Sequence, residues 1–326
     1  MSVFLRHSTH RGETTAARET PGFAASVTSG ILRLRRPVAL HIASTPPLET
    51  PYDSRMANRV TARDVEQFQT DGVVVLRGAM SADQLGELAG AVEQNLSDPG
   101  EWASDYTPDG STGRFFGDYV NWQRIDAYRR IALESALPLA AQLLMQSNTV
   151  RFFHEHVLVK EPGTTEITPW HHDDPYYCVD GMQNVSMWIS LDPVPAAAGL
   201  RFLAGSHRWQ RRFVPRKFVD ATPYAAAAQG FELVPDIEAE LAQHRIVSFD
   251  IEPGDALAFH YRTLHAAPGT AGLTAHRRRA ISMRYVGDDA VFALRPWLHS
   301  PPFDVEAASV GGPLDDVRFP LIHTTT

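Results

Sequence analysis

The sequence predicts a mostly β fold with flanking helices, an α+β arrangement whose centre is a barrel or a double-sheet jelly roll. Two observations predict it. From Val150 onward, short β-type runs alternate with Pro/Gly turns: Val150 to Lys160, Val185 to Leu191, Ile246 to Ile251, Ala256 to Phe259 and Ala280 to Val286. Ahead of Val150, apolar residues recur at helical spacing behind capping residues. Neither an internal repeat nor a second boundary interrupts the pattern, so residues 60–326 read as a single domain.

The elements follow in order. Thr61 with Asp64 marks a capped helix start, with the helix running to about Thr70. After Gly72, the run Val73-Val74-Val75-Leu76 reads as a buried strand. Ser81 to Gln84 repeats the capping pattern, and the helix behind it carries Leu85, Leu88, Ala89 and Val92 on one face. A further helix covers about Pro138 to Met145.

Residues 1–59 differ in kind. They are rich in Ser, Thr, Arg, Ala and Pro and carry Arg6, Arg11, Arg18, Arg33, Arg35 and Arg36 against Glu13 and Glu19. Such a segment buries too little apolar surface to order itself, so it is expected to be a disordered extension. Met56, just before the first well-formed element, favours a tail or upstream extension over a transit-like leader. Arg33-Leu34 to Leu40-His41 approaches a peroxisomal address with its histidine out of register, and the C-terminus lacks a Ser-Lys-Leu signal.

The chain of 326 residues is 44% hydrophobic and 21% charged, a globular composition. Its net charge of −8 argues against a nucleic-acid footprint. A single cysteine, Cys178, leaves no intrachain disulfide and no cysteine-based zinc cluster, so a bound metal would need histidines and carboxylates. No apolar run approaches the roughly 18 to 20 residues that span a bilayer. The expectation is a soluble, cytoplasmic protein with a small-molecule substrate and neither nucleic-acid nor membrane partners. Nothing in the sequence sets its oligomeric state.

The stretch Thr168-Pro-Trp-His-His-Asp-Asp-Pro175 is the most informative. On a strand, residues i and i+2 share a face, so His171 with Asp173, or His172 with Asp174, can offer a nitrogen and a carboxylate oxygen to one interior. The stretch Phe259-His-Tyr-Arg-Thr-Leu-His265 supplies a third donor, His265 ahead of His260. Two histidines and one carboxylate leave one side of an octahedral ion open, which suits non-haem Fe(II). Beyond them, Arg277-Arg-Arg279 leads into Ala280-Ile-Ser-Met-Arg-Tyr285. An arginine there can grip a distal carboxylate bidentately. Alternation puts Arg278, Ala280, Ser282 and Arg284 on one face and Arg279, Ile281, Met283 and Tyr285 on the other, without saying which faces inward.

Further motifs add to these: Lys160-Glu-Pro-Gly163, Trp170-His-His-Asp173, Ser186-Met-Trp-Ile-Ser-Leu-Asp192, Phe202-Leu-Ala-Gly-Ser-His207 and Gly254-Asp-Ala-Leu-Ala-Phe-His260, followed by His265. With them the sequence, from about Val60 to Val286, resembles the phytanoyl-CoA dioxygenase family of Fe(II)/2-oxoglutarate oxygenases. The resemblance implies a double-stranded β-helix (jelly-roll, cupin-like) core. It implies iron held by His171, Asp173 and His265, with 2-oxoglutarate and O₂ as cosubstrates and ascorbate as an optional reductant. It also implies a hydroxylase that releases succinate and CO₂.

By the same resemblance, Arg278 anchors 2-oxoglutarate, Trp188 and Phe153 line it, and His172 stands where the family often has Gln. Two departures stand out. Ala266-Ala267 replaces the usual Gly-Ser, removing a hydroxyl contact, and the spacing from His265 to Arg278 is longer than in the type member, which keeps Arg277 and Arg279 in play. Asp173, where halogenating relatives have Ala or Gly, argues against halogenation.

The aromatics Phe115, Phe116, Tyr119, Trp122, Tyr176, Tyr177 and Trp209 suggest an apolar substrate cavity. Arg114, Phe116, Tyr176 and Tyr177 are the candidate substrate contacts, with Arg114 facing either an anion or solvent. His154 and His156 read as polar pocket or barrel-wall residues, His260 as structural, Ser206-His207 as a turn, and Cys178 as a buried residue. The rival functions are a catalytically inactive binding module and a non-oxidative cupin-type isomerase or hydrolase. The ligand set does not separate hydroxylation from desaturation, epoxidation or cyclisation, and it does not name the substrate.

Overall fold

The structure, a computed structural model, describes residues 60–322 apart from 227, 229 and 273–275. The expectations for residues 1–59 and for the C-terminal tripeptide lie outside the described residues. Among the described residues no helix is long and apolar enough to cross a membrane.

Helix α1 (Ala62–Asp71) opens on the reciprocal Thr61/Asp64 cap and closes on Gly72 at φ 75°. Gly72 is required there twice over, because a Cβ would also strike the side chains of Thr263 and His207. Strand β1 (Val73–Leu76) follows directly, and α2 (Ala82–Ser97) opens on the Ser81/Gln84 capping box. After β2 (Ser104–Asp105) and β3 (Phe115–Tyr119) come α3 (Asp126–Glu134) and α4 (Leu137–Met145). The sequence reading had no helix at α3, whose start at Ile125 makes no side-chain cap.

The strands continue as β4 (Val150–Lys160), β5 (Thr168–His171), β6 (Val179–Asp180), β7 (Asn184–Ser190) and β8 (Arg201–Leu203). They end with β9 (Ile246–Val247), β10 (Ala256–Phe259), β11 (His265–Ala267), β12 (Arg278–Val286), β13 (Val291–Phe292) and β14 (Leu321–Ile322). Strand β9 is shorter than the expected run to Ile251. The chain leaves the sheet at Ser248, whose hydroxyl bonds the carbonyls of Ala196 and Leu200 instead.

The large sheet has the order β1-β10-β7-β12-β4-β3-β2, with β14 also on β4, and a smaller sheet has the order β5-β11-β8-β9. The named strands pair antiparallel throughout, giving the predicted jelly-roll core with helices on the outside. Alternation along β12 decides what each face does. Ile281, Met283 and Tyr285 point to the helices and pack with Phe152, Met187, Ile189, Leu88, Val92, Tyr128 and Leu144. Each such fully buried side chain contributes about 1.5–3 kcal/mol. Arg278, Ser282 and Arg284 point the other way, into a cavity between the sheets. Val73, Trp188 and Phe259 of the large sheet meet Phe202 and Ala267 of the small one and close one flank of that space.

Candidate metal centre and its cavity

His171 ends β5 and His265 opens β11, and the two stand directly opposite in register. Their ring centroids are 4.2 Å apart. Nδ1 of His171 bonds the Pro169 carbonyl at 2.8 Å, and Nδ1 of His265 bonds the Thr263 carbonyl at 2.9 Å. A carbonyl accepts only a protonated nitrogen, so both Nε2 lone pairs are left free, the tautomer a metal requires.

Asp173 reaches the site by a different route from the strand alternation expected of it. Its φ/ψ of −73°/−35° lies beyond the end of β5, in a turn whose N–H donates to the Tyr261 carbonyl at 2.7 Å. The turn still delivers the carboxylate: Oδ1 lies 3.7 Å from His171 Nε2 and 3.9 Å from His265 Nε2. One ligand atom from each of the three residues lies within 4.8 Å of the others, and all three residues are buried.

Burial, then the neighbouring His265, pushes the His171 pKa down to about 3, and burial lowers that of His265. Both imidazoles are therefore neutral donors. Burial, the largest single influence, would raise Asp173, but the Arg284 guanidinium, the two imidazoles and the Tyr177 hydroxyl together outweigh it and hold the carboxyl below its usual range. Two neutral imidazoles and an ionised carboxylate, with Asp173 Oδ2 lacking a hydrogen bond of its own, fit a divalent ion with open coordination positions.

The rival ligands face elsewhere. His172, expected near the cosubstrate, instead turns its Nε2 outward to accept the Phe213 N–H at 3.0 Å, because alternation carries it to the opposite side of His171. Asp174 pairs with Arg212 at 2.6 Å and Arg262 at 3.0 Å. His260 bonds the Met182 carbonyl and the Arg262 N–H.

The three arginines also separate. Arg279 pairs with Asp192 at 2.8 Å and Glu93 at 3.3 Å, and Arg277 with Glu161 at 2.6 Å, all on the outer side. Arg278 lines the cavity, and its one side-chain hydrogen bond among the described residues goes from Nη1 to the Ala198 carbonyl at 2.7 Å. With no carboxylate partner there, burial pushes its pKa down to about 10.

Trp188, Tyr176 and Tyr177 line the cavity, and so does Ala267, which stands where the resembled family usually has Ser. Phe153 does not. The register of β4 on β12 slips between Arg284, opposite His154, and Tyr285, opposite Phe152, which leaves Phe153 as a bulge residue packed on Tyr177, Phe303 and Phe319. Phe116 and Arg114 are also outside the lining. Phe116 belongs to the helix-side core, while its neighbour Phe115 faces the cavity. Arg114 is half-exposed and pairs with Asp105 at 2.7 Å. The sequence reading missed Tyr106, Phe218 and Tyr224, which come from loops with no periodic pattern, and Arg284, whose place was implicit in the alternation with Arg278.

The profile of the Phytanoyl-CoA dioxygenase (PhyH) family matches residues 68–280, more than half of the chain. The chain belongs to that family and is a 2-oxoglutarate-dependent non-haem iron dioxygenase. Ectoine dioxygenase of Sphingopyxis alaskensis is 27% identical over 255 residues, covering 73% of this chain and 82% of that protein. Among solved structures, the α-ketoglutarate-dependent carbocyclase SnoK of nogalamycin biosynthesis superposes with a TM-score of 0.64 at 20% identity, over 82% of this chain and 98% of that one. The epimerase SnoN, solved with Fe³⁺, α-ketoglutarate and nogalamycin RO, gives 0.64 at 21% identity, over 83% and 100%. At these identities the superpositions establish the shared jelly-roll fold.

Proposed function

We propose that this chain hydroxylates a small organic metabolite, with His171, Asp173 and His265 holding ferrous iron and Arg278 holding the distal carboxylate of 2-oxoglutarate. The observation that carries this reading is the buried convergence of two imidazole nitrogens and one carboxylate oxygen within 4.8 Å, on the wall of the cavity that Arg278 lines. When bound, iron with 2-oxoglutarate and O₂ supplies the oxidising chemistry, and succinate and CO₂ leave as coproducts.

The chain's own residues do the positioning. The Pro169 and Thr263 carbonyls orient the two rings, and the Tyr261 carbonyl anchors the turn that carries Asp173. Arg278 has donors to spare for a bidentate grip, and an anion there relieves a desolvated guanidinium. Trp188, Phe259, Tyr176 and Phe218 give the space apolar walls.

Succinate release tests the reading. Wild-type protein should form succinate from 2-oxoglutarate only with Fe(II) and O₂ present. His265→Ala should abolish it. Arg278→Met should raise the 2-oxoglutarate KM by about tenfold or more while sparing iron affinity, and Arg279→Met should leave both unchanged. A non-oxidative enzyme of this fold would release no succinate under any of these conditions.

A further inference from the structure

The cavity holds a second polar patch. Arg284 lies six residues beyond Arg278 on the inward face of β12, and the register sets Ser186 of β7 on one side of it and His154 of β4 on the other. Each of the three is buried, and each carries a polar atom without a hydrogen-bond partner: Ser186 Oγ, Arg284 Nε and Nη1, and His154 Nδ1. His156, the next inward-facing residue of β4, adds an unpartnered Nε2. Several such groups side by side are costly unless a ligand or water satisfies them.

Arg284 is only partly accounted for by its neighbours. Its Nη2 lies 3.5 Å from Asp173 Oδ2, and its guanidinium stands 5.5 Å from the centre of the Tyr177 ring. The other two nitrogens of the fork remain free.

Charge points the same way. The charged side chains lining the cavity, among the described residues, are Arg216, Arg278, Arg284 and Asp173. Burial pushes His154 far below its usual range and His156 down to about 3, so neither adds charge. A ferrous ion and the 2-oxoglutarate dianion cancel, and the cavity therefore stays cationic when both are bound.

We propose that Arg284 and His154, together with His156 and backed by Ser186 on β7, form the subsite that receives a carboxylate of the organic substrate, whose apolar body lies against Tyr106, Tyr119, Phe218 and Tyr224. The subsite rests on the proposed function for where the oxidation occurs: a carboxylate on Arg284 sets the adjoining carbons beside Asp173, and so beside the iron. Either free nitrogen, Nε or Nη1, forms an edge of the planar guanidinium together with Nη2, and such an edge matches a carboxylate better than an alcohol or an amide.

The test is binding of small acids and their neutral amides to the anaerobic Fe(II)–2-oxoglutarate protein. The probes are benzoate, 3-phenylpropanoate and hexanoate against benzamide, 3-phenylpropanamide and hexanamide, read by calorimetry and by perturbation of the visible chelate band. At least one acid should bind about tenfold or more tighter than its amide, and Arg284→Met should erase the preference while the 2-oxoglutarate band still forms. Arg284→Lys, which keeps the charge without the fork, should retain part of the preference and carries the test if the methionine variant does not fold.

Equal binding of every acid and amide by wild type overturns the subsite. So does an undiminished preference in both Arg284 variants. Loss of the 2-oxoglutarate band in Arg284→Lys overturns it as well, by assigning this arginine to the cosubstrate or to Asp173. Failure of the wild-type protein to form a chelate band is a different result: it sinks the proposed function, while calorimetry on the iron-free protein still reads the acid preference.

Discussion

At the scale of single residues, burial decides protonation, and protonation decides what a group can do. His171 and His265 sit in the same low-dielectric wall and are neutral for that reason, which leaves them nitrogen donors rather than cations. Glu155 on β4 shows the same physics away from the site. Its Oε1 accepts the Asn121 N–H, its Oε2 has no partner, and burial pushes its pKa from 4.5 up to about 8. Between those values the folded chain holds a proton that the unfolded chain has released. Stability from this group is therefore fully present below pH 4.5 and erodes as pH rises towards 8. Glu155→Gln should flatten that slope. Urea midpoints for both proteins across this range check the point, and parallel pH profiles would show that Glu155 titrates normally.

At the scale of elements, an ionic clamp sets the turn that carries Asp173. Asp174, buried beside it, holds Arg212 of the β8–β9 connection and Arg262 of the β10–β11 connection. Arg212 also reaches Asp180 at 2.7 Å, and Arg295 reaches the same carboxylate at 2.9 Å. Asp174→Ala leaves two partly buried guanidinium groups without this partner and should cost on the order of 3 kcal/mol in urea unfolding. It should also weaken iron binding, since the neighbouring carboxylate loses its fixed turn. An unchanged urea midpoint and iron affinity would show the clamp to be incidental.

Elements with strong local signals were legible in the sequence. Strands β1, β4 and β10 match their apolar runs to the residue, and two capping boxes mark α1 and α2. Alternation on β12 sorted its residues into the two faces correctly. What local pattern could not supply was anything set by a distant partner: the uncapped α3, the bulge that removes Phe153 from the cavity, and the loop aromatics Phe218 and Tyr224. Phe116 and His172 each faced away for the reason that made their neighbours Phe115 and His171 face in.

At the scale of the whole molecule, the two sheets bring together residues far apart in the chain, His171 and His265 by direct pairing and Arg278 by the strand that crosses the middle of the large sheet. An acidic chain of net charge −8 thus encloses a cavity whose lining is cationic. That inversion is what an enzyme needs if it gathers a ferrous ion on one carboxylate and anions on arginines. The most direct test of the metal centre is an anaerobic absorption titration. Wild-type protein loaded with Fe(II) should develop a weak visible charge-transfer band as 2-oxoglutarate is added, saturating at one equivalent per chain, and folded His171→Ala should develop none. No band in the wild type, or an undiminished band in His171→Ala, would contradict the centre described here.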